Sequence, residues 1–119
     1  MDIDVLVAGG GPAGLSAALI LGRCHRSILP CDDHLQRNRA SREIHGLLGW
    51  PGISPSQFIW QARQQIGDRV SVIIRDTRPV SAFACAYTNG TAAKVLLATG
   101  LVDELPELAG IADLWSFGA

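Results

Sequence analysis

The apolar, β-branched run Ile3-Asp4-Val5-Leu6-Val7-Ala8 stops at Gly9-Gly10-Gly11-Pro12-Ala13-Gly14, and a stretch rich in Ala, Leu and Ile follows directly. A short apolar run bounded by glycines reads as a buried parallel strand. Pro12 falls where the first turn of a helix tolerates it, because the missing N–H has no partner to lose there. Residues Pro12 to Cys24 are predicted to form that helix, buried on most sides, and Ser27-Ile28-Leu29-Pro30-Cys31 a second strand. Strand, helix and strand in about thirty residues form a βαβ unit whose crossover is right-handed. Pro30 is the awkward member, since proline removes a ladder donor and belongs at strand ends or edges.

The glycine run has the form G-x-G-x-x-G, and each glycine answers a separate need. Gly9 allows the turn out of the strand, Gly11 lets a pyrophosphate approach the backbone, and Gly14 lets helix and strand pack closely. The helix start, with Pro12 and Ala13 in its first turn, offers unpaired N–H groups and roughly +0.5 of an elementary charge to phosphate. Asp32 closes the second strand 18 residues past Gly14, where an acid accepts hydrogen bonds from the hydroxyls of an adenosine ribose; Asp33 is the neighbouring alternative. An acid there disfavours a 2′-phosphate and therefore NADP. These features predict dinucleotide binding. They leave FAD and NAD open, because both carry the same AMP half.

The chain has 119 residues, enough for one domain spanning residues 1–119. Hydrophobic residues make up 48% and charged residues 18%, the balance of a core-forming chain. A formal net charge of -1 argues against nucleic acid held by bulk electrostatics. Arginines concentrate locally, at positions 23, 26, 37, 39 and 42, beside the phosphate loop. That suits a dianionic ligand or, equally, a solvated face. The apolar stretch Leu15–Leu21 is far below the ~20 residues that span a bilayer. Met1-Asp2-Ile3-Asp4 is acidic where a signal peptide is basic. Cys24, Cys31 and Cys85 lack C-x-x-C or metal-ligand spacing, so a cytoplasmic protein with reduced thiols and no metal is expected.

Asp32 to Ile53 reads as a long loop with a short helix near Ser41–Leu48, and Ser54-Pro55-Ser56-Gln57 carries the start signals of a helix. Phe58, Ile59, Ala62 and Ile66 make its apolar face, and Gly67 its stop. Strands are expected at Val70–Ile74, Val80–Tyr87 and Lys94–Ala98, with a tight turn at Asn89-Gly90. Cys24 is expected at a buried helix end and Cys31 in a strand, as small buried hydrophobes. Trp50 and Trp60 are read as core, with flavin stacking the alternative. His25 and His34 are expected to face solvent. Trp115 and Phe117 are expected to add to an exposed apolar patch that invites a second copy or a partner subunit.

Gly9-Gly10-Gly11-Pro12-Ala13-Gly14-Leu15-Ser16-Ala17-Ala18 resembles the opening of the thioredoxin-reductase-like, FAD-dependent pyridine nucleotide-disulfide oxidoreductases. So do Arg37-Asn38 with Ala40-Ser41, His45-Gly46-Leu47-Leu48-Gly49, Gly52-Ile53-Ser54-Pro55 and Leu96-Leu97-Ala98-Thr99-Gly100. Leu101-Val102-Asp103-Glu104-Leu105-Pro106 is similar to the segment that follows. The resemblance implies a three-layer, Rossmann-like α/β domain with a parallel sheet and a small, shortened β-meander. It implies FAD as the cofactor, Asp32 at its ribose, and the Asn38 to Gly49 region along pyrophosphate and flavin. Gly9, Gly11, Pro12, Ala13, Gly14, Asp32, Asp33, Arg37, Asn38, His45, Thr99 and Gly100 are then the cofactor-binding candidates. His45 is read either as a flavin neighbour or as a polar loop histidine.

The family also carries an NADPH domain, a C-x-x-C pair and a C-terminal return segment, and this sequence has none of them before Ala119. The expectation is a FAD-binding flavoprotein of oxidoreductase type that works with a partner, as an oligomer or with an external reductant. No catalytic residue is assigned, and no self-sufficient disulfide reduction is expected. The competing expectation is a non-catalytic nucleotide-binding or interaction module, or a truncated fragment.

Overall fold

Strand β1 (Ile3–Ala8) is the spine of a parallel sheet ordered β2-β1-β3, with β2 at Ile28–Cys31 and β3 at Ala92–Leu97, in a computed structural model that describes residues 2–69, 71–77 and 91–115. Val5 lies opposite Ile28 and Val7 opposite Pro30 on one side, and Val5 opposite Lys94 on the other. Helix α1 (Pro12–Arg23) makes the crossover, with Gly11 at its N-cap in extended conformation. The α/β, Rossmann-like architecture expected from the sequence is therefore present.

Helix α2 (Pro55–Gly67) follows the long loop, and Ser54 caps it as its sequence requires: the Ser54 hydroxyl accepts the Gln57 N–H at 3.2 Å. Removing that acceptor with Ser54→Ala is expected to cost about 1 kcal/mol, read as a lower midpoint in chemical denaturation. Gly67 closes the helix from inside, and Asp68 is the residue at its C-cap.

Two apolar clusters form on the sheet. Leu6, Ala8, Leu29 and Cys31 belong to one; Val7, Ile28 and Val72 join Leu15 and Ala18 of α1 and Ile66 of α2 in the other. The alternation follows from the two-residue period of a strand. Helix α1 buries one stripe (Gly14, Leu15, Ala18, Gly22) and leaves Ile20 exposed, so it is less enclosed than its composition implies.

The expected strand at Val70–Ile74 is reduced to two parallel bridges, Ile28 to Val72 and Cys31 to Arg75. Pro30 explains the gap. Its carbonyl accepts the Arg75 N–H at 2.8 Å, so its missing N–H falls on this outer pairing and leaves the β1 ladder intact.

Other expectations are corrected. No helix forms over residues 41–48. A single 3₁₀ turn occupies Arg37–Ala40, and Ile44 pairs antiparallel with Ile53 across a loop in which Gly49 and Gly52 take positive φ. Trp50 and Trp60 are not core: they are 48% and 60% exposed. Trp60 falls beside the Ile59–Ala62–Ile66 stripe of α2 and points away from it, while Trp50 lies in the turn-rich loop. Cys24 is exposed, because it follows α1 where the chain turns away through His25 at φ 55°. Cys31 is buried in β2 as expected. The predicted strand Val80–Tyr87, the Asn89-Gly90 turn, the β-meander, Cys85 and Phe117 lie outside the described residues. No described helix is long and apolar enough to cross a membrane.

Candidate functional site

The strand ends of a parallel sheet converge on one edge, and ligands of open α/β sheets bind there. Here that edge opens into a cavity of about 950 Å³, walled by the glycine loop, the end of β2, the Arg37–Ala40 turn, the loop to Ile44 and His45, and the segment after β3. Gly9, Gly11, Pro12, Ala13, Asp32, Asp33, Arg37, Asn38, His45, Thr99 and Gly100 all line it. Gly14 alone of the candidates does not. It lies behind the loop, pressed on the Gly9 carbonyl.

The loop glycines divide by what demands them. Gly9 runs at φ +118°, and a Cβ there would lie 2.1 Å from the Ala98 carbonyl oxygen. A Cβ on Gly10 would lie 2.3 Å from the Asp32 Cβ, so the acid is seated directly against the loop. At Gly11 the nearest protein atom to such a Cβ is the Gln36 Cγ, 3.7 Å away. The protein's own packing leaves that position free, and the space in front of it belongs to the cavity. The first-turn N–H groups of α1 have no intrahelical acceptor and flank the same space.

Asp32 is 1% exposed and surrounded by donors. Its Oδ1 accepts the His34 backbone N–H at 2.9 Å and the Gln36 side-chain amide at 2.8 Å; its Oδ2 accepts Arg63 Nη2 at 3.2 Å. The same Arg63 nitrogen donates to Asp76 Oδ1 at 2.5 Å, and His34 Nε2 stands 3.0 Å from that oxygen. The Arg63 hydrogen bond holds the Asp76 carboxyl below the usual carboxylate range, against a smaller opposing effect of burial. Asp33 Oδ1 accepts the Leu35 N–H at 3.1 Å. His34 faces solvent as expected, yet it also reaches both acids.

Arg37 ties the two walls of the cavity. Its Nε donates to Asp103 Oδ2 at 2.6 Å, and that bond raises the guanidinium above its ordinary value. His45 pairs with Glu43 at 3.4 Å. The apolar part of the lining includes Leu35 and, from the last described helix α3 (Ile111–Leu114) and its cap, Ile111, Leu114 and Trp115. No metal-binding group of His, Cys, Asp or Glu occurs among the described residues.

Sequence reasoning missed Arg63, Gln36, Asp76 and the α3 contribution. A signal for Arg63 was present: it sits between Ile59 and Ile66 on the apolar stripe of α2, where a charge needs a buried partner.

No protein-family profile matches the chain. A thioredoxin reductase of Claviceps purpurea, tcpT, is 34% identical over 125 residues, covering 95% of this chain and 39% of its own length. Thioredoxin reductase aclD of Aspergillus oryzae is 35% identical over 124 residues, covering 94% of this chain and 39% of its own length. In three dimensions the crystal structure of the oxidoreductase from Agrobacterium tumefaciens superposes with a TM-score of 0.87 at 38% identity, over 95% of this chain and 41% of that one. The chain thus spans about two-fifths of the length of these relatives.

Proposed function

From a chain that belongs with the thioredoxin-reductase-like oxidoreductases over part of their length, we infer a FAD-binding unit of an oxidoreductase. The observation that carries this reading is Gly11. Every other glycine of the motif is demanded by a protein atom within 2.5 Å of its would-be Cβ, and Gly11 by none. A position kept free of side chain, at a helix start and facing a large cavity, fits a pyrophosphate held by backbone N–H groups. The cavity volume lies at the upper end of the ~300–1,000 Å³ range of small-molecule sites, which suits a ligand as long as FAD.

In this reading the first turn of α1, with Gly11, Pro12 and Ala13, holds the pyrophosphate, and Asp32, beside Asp33, accepts the ribose hydroxyls. Arg37, Asn38, His45, Thr99 and Gly100 line the remainder toward the ring. FAD, when bound, supplies the electron transfer, and the protein supplies binding, orientation and electrostatics. The reading includes a single unit over residues 1–119, a cytoplasmic location, and an electron donor that comes from outside the described residues. It also includes further polypeptide, from a second copy or a partner subunit, over the apolar surface after β3. Val102 and Leu108 are exposed there, with Leu97 at the end of β3 beside them in sequence, and support it.

The test is a visible absorption spectrum of the purified protein before and after titration with FAD, followed by denaturation and identification of the released cofactor. Stoichiometric FAD is expected. A colourless protein that takes up no added FAD overturns the reading. Bleaching of the bound flavin by NADH or NADPH alone would mark an autonomous enzyme, and its absence a passive FAD carrier; neither result touches the flavin site.

A further inference from the structure

Asp32 is buried at the cavity edge, yet the group that balances its charge does not face the cavity. Arg63 approaches from α2, on the far side of the carboxylate, and its own side chain is 23% exposed. Behind it stands Asp76, 61% exposed, on the segment that bridges to β2. The guanidinium is therefore pinned between two carboxylates, 3.2 Å from one and 2.5 Å from the other.

We propose that Arg63, backed by Asp76, is the positioning residue that fixes the Asp32 carboxylate for the ribose diol of an adenosine nucleotide. The proposal rests on the nucleotide reading above and names the residue that sets its selectivity.

A carboxylate offers about four lone-pair directions on two oxygens. Three are taken by His34 N–H, Gln36 and Arg63, which leaves one on Oδ2 for a ligand hydroxyl. The Gln36 side chain also lines the cavity and is free to give up its bond when a ligand arrives. Arg63 does not line the cavity, so it acts only through Asp32. Without Arg63 the acid keeps hydrogen bonds on Oδ1 alone, and Oδ2 has only His34 Nδ1 at 3.6 Å, beyond hydrogen-bond reach. Its carboxylate is then no longer held in one orientation, and it is a poorer acceptor at a defined place.

The readout is the ratio of affinities for ADP and 2′-deoxy-ADP, measured by calorimetric titration alongside FAD. A hydrogen bond to a charged acceptor sets an expected ratio of roughly tenfold or more for the unmodified protein. Arg63→Gln is expected to bring the ratio close to one, and Arg63→Lys to restore part of it. Circular dichroism checks that each variant is folded. If Arg63→Gln does not fold, Asp76→Asn loosens the clamp from its exposed side and is expected to lower the ratio by several fold. An unchanged ratio in whichever variant folds overturns the proposal while leaving FAD binding intact. An unmodified protein that binds neither FAD nor ADP overturns the nucleotide reading, and this proposal falls with it.

Discussion

Gly14→Ala is expected to lower the thermal midpoint by on the order of 10 °C or more, although it adds only a methyl group and improves helix propensity. An ideal Cβ at this position lies 1.9 Å from the Gly9 carbonyl oxygen and 3.3 Å from Val7 Cγ1. The first atom is backbone, so no rotamer change relieves the overlap. Helix α1 has to move off β1, and Leu15 and Ala18, which are buried against Val7, move with it. Overpacking of a core costs about 1–3 kcal/mol, and a rigid backbone contact belongs at or above the top of that range. That is a large part of the ~5–15 kcal/mol that holds a domain together. Gly67→Ala is the matched control. Nothing lies within 4 Å of its Cβ, and the same methyl group there is expected to leave the midpoint unchanged or slightly raised. Melts followed by circular dichroism on the two variants separate a steric demand from a generic effect of replacing glycine. Equal midpoints would mean that α1 and β1 are farther apart than their contact implies.

What was legible in the sequence is what short-range physics encodes. The β1–loop–α1–β2 unit was readable because a strand period, three glycines and Pro12 all act within a few residues. The start of α2 was readable because its cap is made by Ser54 and Gln57, three residues apart. Asp32 was readable because strand and helix lengths fix where the second strand ends. What was not legible depends on residues that only the fold brings together. Arg63 meets Asp32 from 31 positions away and Asp76 from 13, and neither spacing marks a motif. The exposure of Trp60 also follows from tertiary placement: composition argued for core, and the apolar stripe of α2 beside it decided otherwise. The effect of Pro30 is of the same kind. That it lacks a donor is local knowledge; which neighbour feels the loss depends on the order of strands. Residues 41–48 have no sustained period to hold a short helix: Gly46 interrupts the stretch, and the chain runs on into Gly49, Pro51 and Gly52 and folds back on itself instead.

Asp32→Ala is the substitution expected to change ligand binding most. It deletes the acceptor of three hydrogen bonds at once, from His34 N–H, Gln36 and Arg63. Removing one partner of a buried charged pair costs about 3–5 kcal/mol when the other is stranded. Here Arg63 retains Asp76, and Gln36 reaches the cavity, so the loss of stability belongs at or below the lower end of that range. Binding suffers separately. Hydroxyls of a ribose seated at β2 lose a charged acceptor, worth about 1.5–3 kcal/mol, so FAD affinity is expected to fall roughly ten- to a hundredfold. Selectivity should change in a second way that instability cannot imitate. A buried carboxylate repels a 2′-phosphate, and its removal leaves the Arg63 guanidinium, 3.2 Å from that carboxylate in the intact protein, without its cavity-side partner. The affinity for 2′,5′-ADP relative to 5′-ADP is therefore expected to rise in Asp32→Ala while the affinity for FAD drops. Titration of the three ligands into one preparation measures both changes. A uniform weakening of all three would mean that Asp32 supports the fold of the loop and does not touch the ribose. In that case Asp33, whose side chain also lines the cavity, becomes the residue to substitute.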